Sequence, residues 1–198
     1  QGYKLAGAEL SIFSPTAAAF SRSILMKFEL CHSFDVDIEL VWKTLLHPDL
    51  PLALVREVQD LVEMEILESE EDKGIVRRKV RYRPAPLIEK VGPKKVQPHW
   101  MEWTEHSEAD PARYRIDFEN IPRVPQVARL MRNSGIVELK PSKHGCTRVI
   151  RGELKIKVPI LGRLAEGIIH KQAAQLVNQE AAATGRIAEK GGVEAFLA

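Results

Sequence analysis

The sequence lacks the features that most directly assign a function. Its 198 residues include two cysteines, Cys31 and Cys146, whose spacing matches neither a CxxC pair nor a zinc site. No apolar run reaches the ~20 residues of a membrane-spanning helix. The patterns GxGxxG, GxxxxGK[ST], GxSxG and HExxH are also missing. We therefore predict no metal, no cofactor, no transmembrane segment and none of the enzyme classes with strong motifs.

An excess of charge of one sign is missing as well. Lys and Arg number 29 and Asp and Glu 27, which gives a net charge of +2. A general binder of polyanions carries a clear basic excess, so we expect no nucleic-acid partner. The two distant cysteines favour buried free thiols and a reducing compartment, the cytoplasm or another, over a single disulfide.

What is present is the composition of an ordinary globular domain, with 44% hydrophobic and 28% charged residues. We place this domain at residues 26–188, because Met26 begins a strand-like pattern. Residues 1–25 are predicted to be an extension, which is a tag scar, upstream sequence or a weak targeting segment. Gly191 and Gly192 indicate a flexible tail at residues 189–198.

Alternation of apolar and polar residues with a period of two predicts seven strands. Proline and glycine between them supply the turns, and four prolines in residues 84–98 predict a loop. The predicted strands cover residues 27–34, 61–68, 75–83, 99–107, 113–120, 136–140 and 146–158.

Helical spacing of apolar residues predicts two short helices after the first strand, at residues 38–46 and 50–58, and a long one at residues 160–184 that ends at Gly185. An antiparallel sheet with one apolar face must cover that face. The last helix is the only predicted element long enough to do so. The sequence therefore predicts an α+β helix-grip fold, in which a curved antiparallel sheet wraps around the C-terminal helix.

Two segments carry a resemblance to a known superfamily. The opening MKFELCHSFD at residues 26–35, followed by Trp42 and His47-Pro48-Asp49, resembles the start of START-like (SRPBCC, polyketide-cyclase-like) domains. The ending RGELKIKVPILGRLAE at residues 151–166 is similar to a bacterial family of uncharacterised START-like proteins. The resemblance covers about residues 26–188. It implies the helix-grip fold and a hydrophobic cavity between sheet and helix, but no catalytic residues.

The predicted inner faces identify candidate cavity residues, which are mostly apolar or aromatic. They are Arg78, Val80, Tyr82, Met101, Trp103, Tyr114, Phe118, Arg148, Ile150, Leu164 and Ile168.

Arg78 and Arg148 are the charged members of this set. A guanidinium on an apolar face needs a partner, because burying an unpaired charge is costly. One explanation is an internal ion pair, for instance with Glu102 or Glu138, or a side chain that reaches the sheet edge. The other is an anchor for an acidic group on a ligand.

Other charged segments have structural explanations. In the basic run at residues 77–83, alternation turns Arg77, Lys79, Arg81 and Arg83 outward, opposite Glu63 and Glu65, where cross-strand pairs are expected. His99, Glu102 and His106 would share a helix face, but the segment has the composition of a strand, in which they cannot share a metal.

Three functional hypotheses follow. The first is a binder or carrier of a small apolar ligand that is acidic, lipid-like or polyketide-like. The second is an enzyme of cyclase or hydratase type in the same cavity, with Glu102, His106 and Tyr114 as the acid and base groups. The third is an interaction module whose outer basic face contacts protein or RNA.

Overall fold

A computed structural model describes residues 23–85, 90, 91, 94, 95, 97–157 and 163–198, with the backbone path alone at 23, 24, 90, 91, 94, 95 and 163–172. In chain order the elements are β1 (Ser23–Phe34), α1 (Ile38–Leu46), α2 (Leu50–Glu57), β2 (Leu61–Asp72), β3 (Ile75–Pro84), β4 (Lys90–Val91), β5 (Lys94–Lys95), β6 (Trp103–Asp110), β7 (Arg115–Pro122), α3 (Pro125–Ala128), β8 (Met131–Ser142), β9 (Gly145–Lys157), α4 (Arg163–Glu189) and α5 (Val193–Leu197).

Seven strands form one antiparallel sheet in the order β1-β9-β8-β7-β6-β3-β2. Helices α1 and α2 contact α4, which also contacts β1. This arrangement is the helix-grip fold predicted from the sequence, with the expected number of strands. Several strand boundaries differ from the prediction. Strand β2 continues to Asp72, and β8 begins at Met131 and not at Ile136. Pro98 begins a 3-10 turn that runs to Met101, so that β6 starts at Trp103 and not at His99.

A pair of glycines shapes the middle of strands β8 and β9. Gly135 and Gly152 lie directly opposite each other. A Cβ atom on Gly135 would lie 2.2 Å from the carbonyl oxygen of Arg151, and one on Gly152 would lie 2.6 Å from the Phe28 ring. Glycines in strand interiors permit close backbone approach and sharp bending. This pair therefore allows β8 and β9 to approach each other and the inner side chains closely.

The outer face of β2 and β3 carries ion pairs at the predicted positions. Arg81 contacts Glu63 and also Glu65, the latter at 2.5 Å, and Arg83 contacts Glu63 at 2.6 Å. Opposite charges on neighbouring strands favour the register in which they meet. The alternation predicted for residues 77–83 is confirmed.

Helix α4 continues past the predicted end at Gly185. This glycine lies inside the helix and faces Phe34, where an added Cβ atom would lie 3.2 Å from the ring. The helix ends at Glu189, because Gly191 and Gly192 adopt φ angles of +97° and +103° and their N–H groups bond back to the last turn. Its 27 residues span about 40 Å.

The last ten residues, predicted as a flexible tail, contain helix α5. Val193 is 2% exposed and packs in a cluster with Leu54 and Ile187, and Phe196 lies against the same cluster. The apolar residues after Gly192 thus extend the core below α2. Residues 1–22 lie outside the described part, so the nature of the extension stays a prediction.

Both cysteines are free. Cys146 is buried, whereas Cys31 is exposed because the odd-numbered residues of β1 face outward. The expectation of two buried thiols was therefore wrong for Cys31.

The packing of α5 generates a stability prediction. Val193→Ala should lower the free energy of unfolding by about 1–3 kcal/mol, since it removes buried methyl groups and leaves a small void. Urea unfolding measures the change. Glu189→Ala, at an exposed site on α4, is the control and should be nearly neutral. Equal urea midpoints for the Val193→Ala variant and the unmodified protein would show that α5 does not contribute to the core.

Candidate functional site

A cavity of about 190 Å³ lies between the inner face of the sheet and helix α4. This volume holds at least roughly six waters. Among the side chains that the structure describes, Ala173, Ala174, Val177 and Glu180 form the α4 side of the wall. Three of these four side chains are short, so this part of the helix covers the sheet without filling the space beneath it.

Most of the remaining wall is apolar. The apolar residues come from all seven strands of the main sheet and from the corner between α1 and α2. A few positions of these elements are polar. The apolar part consists of Phe28, Leu30, Leu45, Leu46, Leu50, Pro51, Met64, Ile66, Val76, Val80, Ala109, Ile116, Phe118, Val137, Ile150 and Leu154.

Arg148 is the most deeply buried charged group of the wall. It is 3% exposed and its Nη2 atom donates a hydrogen bond to the Val177 carbonyl at 3.3 Å. Its Nε atom has no hydrogen-bond partner among the described residues. Desolvation lowers the pKa of this guanidinium, which the charge of Glu180 partly offsets.

Arg78 lies on the same inner face, on β3. It donates a hydrogen bond to the carbonyl of Leu46 at the end of α1, where the helix dipole favours a cation. Burial lowers its pKa. Neither Glu102 nor Glu138 pairs with it. The bond to Leu46 ties the corner between α1 and α2 to the sheet.

Two carboxyl groups face the same cavity. Burial raises the pKa of Glu105 to about 8, and the neighbouring charge of Glu180 contributes to this rise. Burial also raises the pKa of Glu180, although the charge of Arg148 opposes the shift. At neutral pH Glu105 is therefore mainly protonated.

Tyr82 and Trp103 form a stacked pair at the edge of the cavity. Their ring centroids are 5.1 Å apart and their planes differ by 7°. Tyr82 lines the cavity, and burial raises the pKa of its hydroxyl well above the usual value. Trp103 lies beside it as its direct partner on β6 and is not part of the cavity wall, so the indole can report changes at Tyr82 without touching a ligand.

The predicted cavity residues fall into three groups. Six line the cavity: Arg78, Val80, Tyr82, Phe118, Arg148 and Ile150. Met101, Trp103 and Tyr114 do not. Leu164 and Ile168 lie outside the residues whose side chains are described.

The three residues away from the wall have identifiable positions. Met101 ends the 3-10 turn that precedes β6. Trp103 stacks on Tyr82 from the neighbouring strand β6. Tyr114 follows a second 3-10 turn in the left-handed conformation, with φ of 48°. Its hydroxyl contacts Glu39, and its ring meets Trp42 edge-on at 5.7 Å, so that it packs under α1.

The acid and base groups suggested from the sequence for an enzyme are not brought together. Burial favours a raised pKa at Glu102, but hydrogen bonds and charges from Arg83 and Arg123, at 2.8 and 3.0 Å, outweigh it and lower the pKa. His106 is exposed on the outer face of β6, and Tyr114 lies under α1. None of the three lines the cavity.

Sequence analysis missed the two carboxyl groups that do line it. The alternation that turns Trp103 inward also turns Glu105 inward, so the signal was present. Glu180 lies seven residues after Ala173 on the same helix face, a spacing that was also readable. Both were overlooked because acidic residues were assigned to the solvent side.

The described part of the chain has neither a cluster of metal ligands nor a membrane-spanning helix. Those residues include no group of three or more His, Cys, Asp or Glu placed to hold a metal ion. None of the described helices combines the length and hydropathy needed to cross a bilayer.

The buried carboxyl of Glu105 generates a pH prediction. Its folded pKa lies above the unfolded value, so the stability it contributes is complete below about pH 4 and is lost as the pH rises toward about 8. We expect the free energy of unfolding to fall over this range by up to ~1.4 kcal/mol per pH unit. Glu105→Gln should remove this part of the decline.

Urea unfolding at several pH values measures the effect. Glu119→Gln, at an exposed position of β7, is the control and should retain the decline of the unmodified protein. If the curves for Glu105→Gln and the unmodified protein run parallel from pH 5 to pH 8, the carboxyl is ionised in the folded state.

Solved structures share this fold at low sequence identity. The ZhuI aromatase/cyclase from Streptomyces sp. R1128 is 18% identical, with a TM-score of 0.57 over 87% of this chain and 100% of that one. The di-domain aromatase/cyclase StfQ from the steffimycin biosynthetic pathway is 14% identical, with a TM-score of 0.58 over 84% of this chain and 51% of that one. Ara h 8.0201 is 15% identical, with a TM-score of 0.54 over 83% and 98%.

Sequence comparison gives a family. No curated protein matches the chain. The model of a family described as "Protein of unknown function (DUF2505)" matches residues 29–187. This range includes the second half of β1, the other six strands of the main sheet and most of α4. The chain therefore belongs to the DUF2505 family and has the helix-grip fold of the START-like (SRPBCC) superfamily.

Proposed function

We propose that the protein binds a compact, mainly apolar small molecule that carries an acidic group, in the cavity beneath α4. Arg148 is the observation that carries the proposal. Its guanidinium has five N–H donors, yet the described residues supply one hydrogen bond, at 3.3 Å, and no ion pair within 4 Å. A carboxylate from a ligand would satisfy the donors and compensate the charge.

The surroundings of Arg148 support an anionic rather than a cationic ligand. Arg148 and Arg78 are both positive, whereas Glu105 is mainly neutral at pH 7 because its pKa is about 8. If Glu180 is ionised beside Arg148, one positive charge still has no compensation. The apolar wall suits a lipid-like or polyketide-like body on such an acid.

The structural neighbours give the proposal a context. Two of the solved structures with this fold are aromatase/cyclases by their descriptions. Enclosed ligand sites are thus compatible with the architecture, and the chemistry of the occupant depends on each protein's own wall. Arg78 is a weaker anchor here than Arg148, because it is only partly buried whereas Arg148 is 3% exposed, so that its charge loses less hydration.

A second candidate is an enzyme of cyclase or hydratase type in the same cavity. The observation in its favour is Glu105, whose pKa of about 8 lies close to neutrality, where a general acid or base is most effective. Recovery of a bound molecule chemically unchanged after incubation favours the binder. Conversion of the bound molecule by the unmodified protein, but not by the Glu105→Gln variant, favours the enzyme.

The interaction hypothesis has less support. Arg81 and Arg83 on the outer face already contact Glu63, and Lys79 contacts Glu68 at 2.6 Å. These pairs reduce the charge that the surface offers to a polyanion. The absence of a nucleic-acid partner and the reducing compartment stay predictions.

The role of Arg148 can be tested with octanoate and octanol, which share a chain and differ in charge. Arg148→Leu should weaken octanoate binding by about 10- to 100-fold, because a charge-assisted hydrogen bond contributes about 1.5–3 kcal/mol. Octanol binding should change little. Isothermal calorimetry or Trp103 fluorescence measures both.

Stability supplies the second readout. The melting temperature of Arg148→Leu should stay near that of the unmodified protein, since replacing a buried ion by an apolar residue is often neutral. Arg151→Leu, on the outer side of the same strand, is the matched control and should bind octanoate normally. If the Arg148→Leu variant is unfolded, or binds octanoate as tightly as the unmodified protein, Arg148 has a structural role and is not a ligand anchor.

A further inference from the structure

A row of polar side chains crosses the inner face of the sheet. Glu105 of β6 lies directly opposite Asn120 of β7, which lies directly opposite Asn133 of β8. The same row continues to Val80 on one side and Leu154 on the other, and all five residues line the cavity. Three adjacent polar positions therefore cross a sheet face that is otherwise mostly apolar. We call Glu105, Asn120 and Asn133 the polar row.

The two asparagines have hydrogen-bonding capacity that the described residues do not use. The Oδ1 atoms of Asn120 and Asn133 are enclosed in the wall and have no hydrogen-bond partner there. Leaving a buried acceptor unsatisfied opposes folding. An apolar pair would fit this face better if packing were the sole requirement, so the amides need an explanation outside the fold.

The chemistry of the row limits what it can bind. Each amide offers both donors and an acceptor, and rotation about its last side-chain bond exchanges the atoms that face the cavity. The carboxyl of Glu105 is mainly protonated at pH 7, which adds one more donor and one acceptor. The row thus presents no full charge. A hydroxyl or carbonyl group complements it, whereas a second carboxylate gains no cation there.

We propose that the polar row binds a neutral hydroxyl or carbonyl group on the body of the ligand, so that the preferred ligand is an oxygenated acid and not a plain alkyl acid. This inference rests on the proposed function, in which the acidic end lies at Arg148. Arg148, Glu180 and all three residues of the polar row line the same cavity.

The experiment compares octanoate, its hydroxylated positional isomers and octanedioate in one titration series. At least one hydroxyoctanoate should bind about tenfold more tightly than octanoate, as expected when a polar site gains its missing partner. Octanedioate should show no such gain. The double variant Asn120→Leu/Asn133→Leu should lose the gain and bind octanoate at least as well as before, because leucine approximates the shape of asparagine without polar groups.

Stability distinguishes a binding role from a structural one. The double variant should melt no lower than the unmodified protein, since no bond within the described residues is lost at either Oδ1 atom. Asn178→Leu is the matched control, because Asn178 lies on α4 away from the cavity and contacts His32 at 2.9 Å. It should keep the preference for the hydroxylated acid.

Several outcomes would overturn the inference. Octanoate binding without a gain for any hydroxylated isomer would remove the polar row from recognition and leave the proposed function intact. If the double variant still binds a hydroxyoctanoate more tightly than octanoate, the hydroxyl group of the ligand binds elsewhere. A double variant that melts well below the unmodified protein would make the asparagines structural. Failure of every acid to bind the unmodified protein would remove the proposed function itself.

Discussion

One helix has to cover the inner face of a seven-stranded sheet, and most of the α4 side chains described at the cavity are short. Ala173 and Ala174 line the cavity and extend little into it. Further toward its C-terminal end α4 packs closely, with Leu176 and Ile187 in one cluster and Ala181 and Ala188 in another. Among the described residues, the cavity therefore lies where α4 carries alanine, next to this closely packed region.

The gap changes the energetics of every polar group that points into it. Arg148, Glu105 and Glu180 each lose hydration, and the direction of each pKa shift is the one that burial imposes. In a filled core such groups would require mutual ion pairs. Here the pairing is incomplete, since no contact within 4 Å joins Arg148 to either carboxyl among the described residues. Incomplete pairing of buried charges lowers the stability of the fold.

The fold was readable from the sequence because its two periodicities are regular. Alternation located seven strands, and helical spacing with flanking prolines located α1, α2 and α4. The errors have local causes. Pro98 delays β6 to Trp103, and Gly185 lies inside α4 because Phe34 packs against it and leaves no space for a side chain. Glycine in a helix is a packing feature as often as a stop signal, and one sequence cannot separate the two.

The site was readable only in part, because it depends on cross-strand register. Alternation turned Arg78 and Arg148 inward, as the structure has them. It also turned Glu105 inward, but nothing in one strand shows that Asn120 and Asn133 lie beside it. The predicted inner faces also included Trp103 and Tyr114, but Trp103 stacks beside Tyr82 outside the cavity wall and Tyr114 packs under α1. Register is a property of strand pairs.

The two faces of the sheet use the same residue types in opposite ways. On the outer face Arg81 and Arg83 share Glu63, and Arg151 contacts both Glu29 and Glu138. Several arginines of the outer face are therefore paired within the fold. On the inner face, where an unpaired charge is most costly, Arg148 has no carboxylate within 4 Å among the described residues, and its bond to the Val177 carbonyl supplies no opposite charge. The proposed acidic ligand would relieve this incomplete pairing, because a carboxylate supplies both the acceptors and the charge that the guanidinium lacks.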